Sequence, residues 1–240
     1  MPPKLLVQMK KLFFLVGLMS TMFLQAQTKT DLLKHYEAYY AEMRRQGDIQ
    51  GIINAMTHLN VLEPSQARKD TLAYVYMSDN KFLQALNTLG IDPSPTDSDI
   101  AVEVKAVSLK SLGESERAIP HFNEMFNRNP NAQIAYELAD LNLQMGKFEE
   151  AKKHINYGIA NVKDTSMKAY YESAQPYQVP LKAGFYYLKG LLVFNENKDE
   201  NIDTAVGFFD QALQMAPNFN LAKISKDALL SQKQNPLPKE

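Results

Sequence analysis

Four histidines, at positions 35, 58, 121 and 154, are the first residues of this sequence to weigh for chemistry. His121 and His154 stand 33 residues apart. A metal shared between them would need both ring nitrogens within about 2.1 Å of it. Helices packed side by side lie roughly 8–10 Å apart, and the sequence offers no third ligand, so both read as solvent-exposed side chains. Carboxylates are paired at Glu149-Glu150 and at Glu114 and Glu116. These pairs fall at helix starts, where they complement the positive end of the helix dipole. Ser, His and Asp occur without the spacing of a triad. There is no Gly-rich phosphate loop, no Gly-x-Ser-x-Gly turn and no His-Glu-x-x-His helix. With no cysteine in the chain, thiolate nucleophiles, cysteine–zinc sites and disulfides are excluded. The expectation is a protein without catalytic residues, bound metal or cofactor.

Composition narrows the partners. Across 240 residues, 45% are apolar and 22% charged, as in an ordinary globular chain. Lys plus Arg number 26 against 27 Asp plus Glu, a formal charge of −1. No cationic surplus is available to neutralise a run of phosphates, which argues against nucleic acid as a partner.

The elements that must carry any binding surface are written in a repeat of 33 residues. Ile52, Ala85, Ala118 and Ala151 are evenly spaced. So are Met56, Leu89, Phe122 and Ile155, then Tyr40, Ala73, Ala106 and Ala139, and finally Gly47, Asn80, Gly113 and Gly146. Within a unit the apolar residues recur at helical spacing, as in Ile134, Leu138, Leu141 and Met145 before Gly146, then Phe148, Ala151, Ile155 and Ile159 after it. Each unit is thus two amphipathic helices joined by a short turn. Pro64-Ser65, Pro93-Ser94, Pro130-Asn131 and Pro217-Asn218 pair a helix stop with a residue suited to cap the next helix. The small residues let two helices approach while the large neighbour fills the groove beside them.

The chain resembles the tetratricopeptide repeat (TPR) proteins. The residues that carry the resemblance are Leu72-Ala73-x-x-Tyr76 with Asn80-x-Phe82-x-x-Ala85-x-x-x-Leu89, and Leu138-Ala139 with Gly146-x-Phe148-x-x-Ala151-x-x-x-Ile155. A fifth unit runs through Tyr186, Gly190, Ala205, Phe209, Ala212 and Pro217. The resemblance implies an all-α, α-α superhelix: a TPR-like solenoid over residues 27–232 with about five helix-turn-helix repeats. These fall near 33–65, 66–98, 99–131, 132–164 and 183–219. Residues 219–232 read as a capping helix with Leu221, Ile224, Ala228 and Leu229 on one face, and 233–240 as a loose tail. Three departures stand out: Tyr40 and Ile52 where small residues are usual, a second helix cut short by Gly90 and Pro93, and Pro120 inside another helix.

The family's geometry implies a concave groove lined by the first helix of each pair. It would present Lys34, Glu37, Arg44, Thr71, Tyr74, Met77, Val107, Lys110, Tyr136, Asp140, Leu143, Tyr187 and Leu191. Tyrosine is rigid and amphipathic, so Tyr74, Tyr136 and Tyr187 are candidate anchors for a protein or peptide partner. Some grooves of this family hold a C-terminal carboxylate, but Glu37 and Ala41 replace the first Lys and Asn that this requires.

A stretch over residues 161–182 interrupts the period and brings Tyr170, Tyr171 and Tyr177 together with Pro176 and Pro180. It is either a second functional surface or a lengthened helix pair with a connector. At the other end, Lys10-Lys11 precede an apolar run from Leu12 to Leu24, too short to span a membrane comfortably. Residues 1–26 therefore read as a secretory signal peptide cut after Ala26, with Met9 an alternative start. Export is the consequence, to the periplasm or beyond, with membrane contact only through that transient segment. The leading expectation is a non-catalytic interaction scaffold of the cell envelope. The alternative is an envelope protein that binds glycans or small ligands through the tyrosines at 170–187.

Overall fold

The computed structural model describes residues 29–234; the signal-peptide expectation and most of the tail lie outside these. Among the described residues the elements, in chain order, are α1 (29–46), α2 (Ile49–Leu62), α3 (Gln66–Ser78), α4 (Phe82–Leu89), α5 (Asp99–Ser111), α6 (Ser115–Arg128), α7 (Ala132–Gln144) and α8 (Phe148–Asn161). Then come β1 (Met167–Tyr170), β2 (Tyr177–Pro180), α9 (Leu181–Glu196), α10 (Ile202–Met215) and α11 (Asn220–Gln234). The helices form five pairs and a final single helix, and the class is all-α with one small hairpin. The chain divides into two compact units between Asp92 and Pro93.

The 33-residue repeat has a stereochemical cause. Gly47, Asn80, Gly113 and Gly146 all have positive φ, between 57° and 80°. In all four turns the next residue's N–H reaches back five positions, Asp48 to the Met43 carbonyl at 3.0 Å, Lys81 to Tyr76 at 2.8 Å, Glu114 to Leu109 at 2.9 Å and Lys147 to Asn142 at 2.8 Å. This left-handed closure satisfies carbonyls that a helix end leaves bare. Glycine adopts it without penalty and asparagine nearly so.

A second column starts the pairs. Ser65, Ser98 and Asn131 each accept a hydrogen bond from the backbone N–H three residues on, at 3.0–3.2 Å. Ser98 therefore does what was expected of Ser94, which instead opens a turn whose N–H bonds Asp97. The helix stop at Gly90 and Pro93 is separated from the next helix by several residues, so the cap follows the period rather than the proline.

The alanine columns are fully buried: Ala73, Ala106 and Ala139 on first helices, Ala85, Ala118 and Ala151 on second helices, all at 0% exposure. Pro120 lies inside α6 without ending it. In the N-terminal unit a core of Ile52, Ile53, Met56, Leu59 and Leu72 is joined by Tyr36, Tyr40 and Met43 of α1. The C-terminal unit has a larger core that unites α7, α8, α9 and the hairpin. There Gly158 lets α8 pass close to Phe185, since a Cβ at that position would sit 1.9 Å from the ring.

α11 is rotated from the expected face. Ala222 and Leu229 are buried, whereas Ile224 is 55% exposed and Ala228 also faces outward. No helix among the described residues is long and apolar enough to cross a membrane.

Candidate binding faces

In the N-terminal unit four of the six expected residues stand open. Lys34, Glu37 and Arg44 are exposed on α1; Tyr74 is exposed at 44% on α3, with Thr71 and Met77 half-buried on the same helix. Arg44 and Arg45 border a shallow depression of about 300 Å³ with Tyr40 and Ala41. Arg45 is occupied by Glu42, at 2.6 Å.

In the C-terminal unit the corresponding face is covered by the chain itself. The segment 161–182 is neither a loop nor a helix extension: it is an antiparallel hairpin in which Met167 pairs with Pro180, Lys168 with Val179, Ala169 with Gln178 and Tyr170 with Tyr177. Alternation along the strands turns Lys168, Tyr170, Tyr177 and Val179 to one side. Tyr170 and Val179 are buried. The hydroxyls of Tyr170 and Tyr136 are 2.7 Å apart. Tyr170 also packs on Phe219, with ring centroids 4.8 Å apart.

Tyr136, expected in an open groove, is therefore only 3% exposed. The hairpin supplies the neighbour that the repeat alone would not. Burial pushes its phenol well above the usual tyrosine range. Tyr187 is half-buried against Phe209 and Phe219, and burial raises it too, while its hydroxyl meets Ser225. Asp140, Leu143, Leu191, Val107 and Lys110 are all half-buried.

A charge network ties these pieces together. Glu137 on α7 accepts from Lys168 of β1 at 2.5 Å and from Lys110 of α5. Burial pushes its carboxyl up, but the two ammonium groups outweigh that and hold it below the ordinary range. Lys168 also lies over the Tyr136 ring, 4.8 Å from its centroid. Asp140 is 3.8 Å from Lys110. Glu137 and Lys168 had no signal in the sequence beyond their place beside two tyrosines.

The insert's own tyrosines are unequal. Tyr170 is spent in the core, and Tyr177 stacks on it at 5.7 Å. Tyr177 bonds Glu172 and the α11 backbone, and burial pushes it up to about 12. Tyr171 is 76% exposed.

The paired histidines are not exposed. His121 is 1% and His154 4% exposed; Phe126 of α6 meets His154 edge-on at 5.2 Å. His154 Nδ1 has no hydrogen-bond partner, and burial lowers its pKa. Among the described residues no group of three or more His, Cys, Asp or Glu is placed to hold a metal. Glu149, Glu150 and Glu116 lie in first turns of helices, as their spacing implied.

No protein-family model matches the sequence, and neither does any curated protein. Solved structures do resemble it. A tetratricopeptide repeat protein from Parabacteroides merdae superposes with a TM-score of 0.63 at 15% identity, over 85% of this chain and 74% of that one. YrrB, described as a TPR protein with an unusual peptide-binding site, gives 0.62 at 14% over 80% and 90%. MamA gives 0.56 at 17% over 88% and 99%. With paired helices, a left-handed turn every 33 residues and these neighbours, the chain has the tetratricopeptide-repeat fold.

Proposed function

We propose that this protein is a non-catalytic interaction scaffold of the cell envelope, which holds a peptide or a helix of a partner on the first-helix face of its N-terminal unit. The observation that carries this is the exposure of Tyr74 on α3 and of Lys34, Glu37 and Arg44 on α1, the first helices of their pairs. A rigid amphipathic ring on one first helix and charges of both signs on the other suit a protein segment with an apolar anchor and polar flanks. The likeness to a TPR protein described as having an unusual peptide-binding site supports a peptide as the ligand class. Export rests on the basic and apolar character of residues 10–24.

Glycan binding through the insert has lost most of its platform, since Tyr170 and Tyr177 are occupied in packing.

The test is affinity capture from detergent-solubilised envelope with the chain from residue 27 onward, run beside a Tyr74→Ala/Arg44→Ala variant. The variant is expected to lose the proteins that the unaltered chain recovers, with helicity and melting unchanged. Equal recovery by both would remove this face from the account.

A further inference from the structure

The two strands of the hairpin are held very differently. β2 runs straight into α9: Pro180 is its last residue and the one that precedes the helix, and Val179 is 0% exposed. β1 is flanked by irregular residues, 162–166 before it and 171–176 after it; its start is tied where the Ser166 carbonyl accepts from the Leu181 N–H at 2.8 Å. Of its residues only Tyr170 is buried; Met167 is exposed, and Lys168 and Ala169 are half-buried. A two-stranded ladder alone is at best marginally stable in water. The position of β1 therefore depends on what its inward side chains meet: Lys168 meets Glu137, while Tyr170 lays its ring against Phe219 and sets its hydroxyl on that of Tyr136.

Without β1, α7 would present the carboxylates of Glu137 and Asp140 against the single ammonium of Lys110. Beside them would lie the Tyr136 phenol and the bared edge of β2. Such a place is complementary to an extended segment with a cation and an aromatic ring two residues apart. An added strand supplies backbone bonds, and alternate side chains supply specificity.

The geometry points to β1 as an internal stand-in for a partner strand: an extended peptide of the pattern (Lys or Arg)-x-(Tyr or Phe) displaces it, pairs with β2, and takes over Glu137 and Tyr136. This rests on the reading that first-helix faces receive protein segments, and it adds a second, normally occluded one on the C-terminal unit.

Hydrogen exchange on the intact chain reads whether β1 detaches. Its ladder amides are expected to exchange at least about tenfold faster than the interior amides of α7 and α9, as for a sub-global opening. Equal protection would make the hairpin an inseparable part of the core and overturn the proposal.

The probe for the vacated place is a labelled peptide with the sequence of residues 165–171. A full-length Lys168→Glu/Tyr170→Ala variant is expected to bind it at least about tenfold more tightly than the unaltered chain does. Addition of Glu137→Lys should abolish that binding. A folded double variant that ignores the peptide, or equal binding by both chains, would overturn the proposal. If the double variant does not fold, exchange on the intact chain decides alone. Adding Tyr74→Ala and Arg44→Ala to the β1-weakened chain should leave the peptide bound, so failure at either face is read separately.

Discussion

Arg44 and Met77 in the N-terminal unit hold the same places in the repeat as Lys110 and Leu143 in the C-terminal unit, and Tyr74 the same place as Val107 and Asp140. Their surroundings diverge. Arg44 and Tyr74 are exposed while Met77 is half-buried; Val107, Lys110, Asp140 and Leu143 are all half-buried, and Tyr136 beside them is closed over by β1. The repeat decides which way a side chain points. What lies between repeats decides whether anything outside the chain can reach it. Hence one unit offers a standing surface and the other a surface already filled.

The largest test of that contrast is the loss of an aromatic ring on each side. Phe185→Ala, at a fully buried position packed against Gly158 and Tyr136, should cost about 3–5 kcal/mol in urea unfolding. Tyr74→Ala should stay within about 0.5 kcal/mol, as for an exposed site. Similar losses would erase the distinction between an open and a closed face. A smaller effect is expected at the turn of the open unit. Asn80 has a φ of 57°, so Asn80→Ala should destabilise by about 1 kcal/mol through left-handed strain, whereas Asn80→Gly should be close to neutral in the same assay.

The smallest expected difference is in acid. The pKa of His154 is lowered by burial, then by Lys153, so the unfolded chain takes up its proton first as pH falls. Stability that is complete above about pH 6.5 should decline below it and level off beneath the depressed folded value. His154→Leu should flatten that part of the melting-temperature profile. An unchanged slope would mean that the imidazole is not buried in neutral form.

Legibility followed the period. The left-handed column and the alanine columns were readable because each position recurs with the same stereochemical demand, and four copies outvote local noise. The proline rule misplaced two caps: Pro93 pointed to Ser94, while the 33-residue interval from Ser65 and to Asn131 falls on Ser98, and Pro217 pointed to Asn218, while α11 opens at Asn220 behind Phe219. The hairpin was not readable. Its strands are four residues each, too short for alternation to separate them from loop, and their tyrosines, besides stacking on each other, are held by distant residues, Tyr136 and Phe219. His154 misled for a related reason, since it packs against a ring on the preceding second helix, Phe126. Position in the repeat points Tyr74 and Arg44 outward, and both are exposed, but nothing local to Tyr136 announces the strand that covers it.

The loop ahead of α5 is fastened to α5 and α6. Lys105, 2% exposed, reaches the Asp97 carboxylate at 2.7 Å, and Arg128 bonds both the Asp97 carbonyl and Asp99. The lead-in thus belongs to the architecture of the C-terminal unit and is no mere tether. A fragment begun at the first turn of α5 would strip an interior ammonium of its carboxylate, whereas one begun at Pro93 keeps its own front edge. For anyone dissecting the molecule, the natural cut falls several residues ahead of the first helical one.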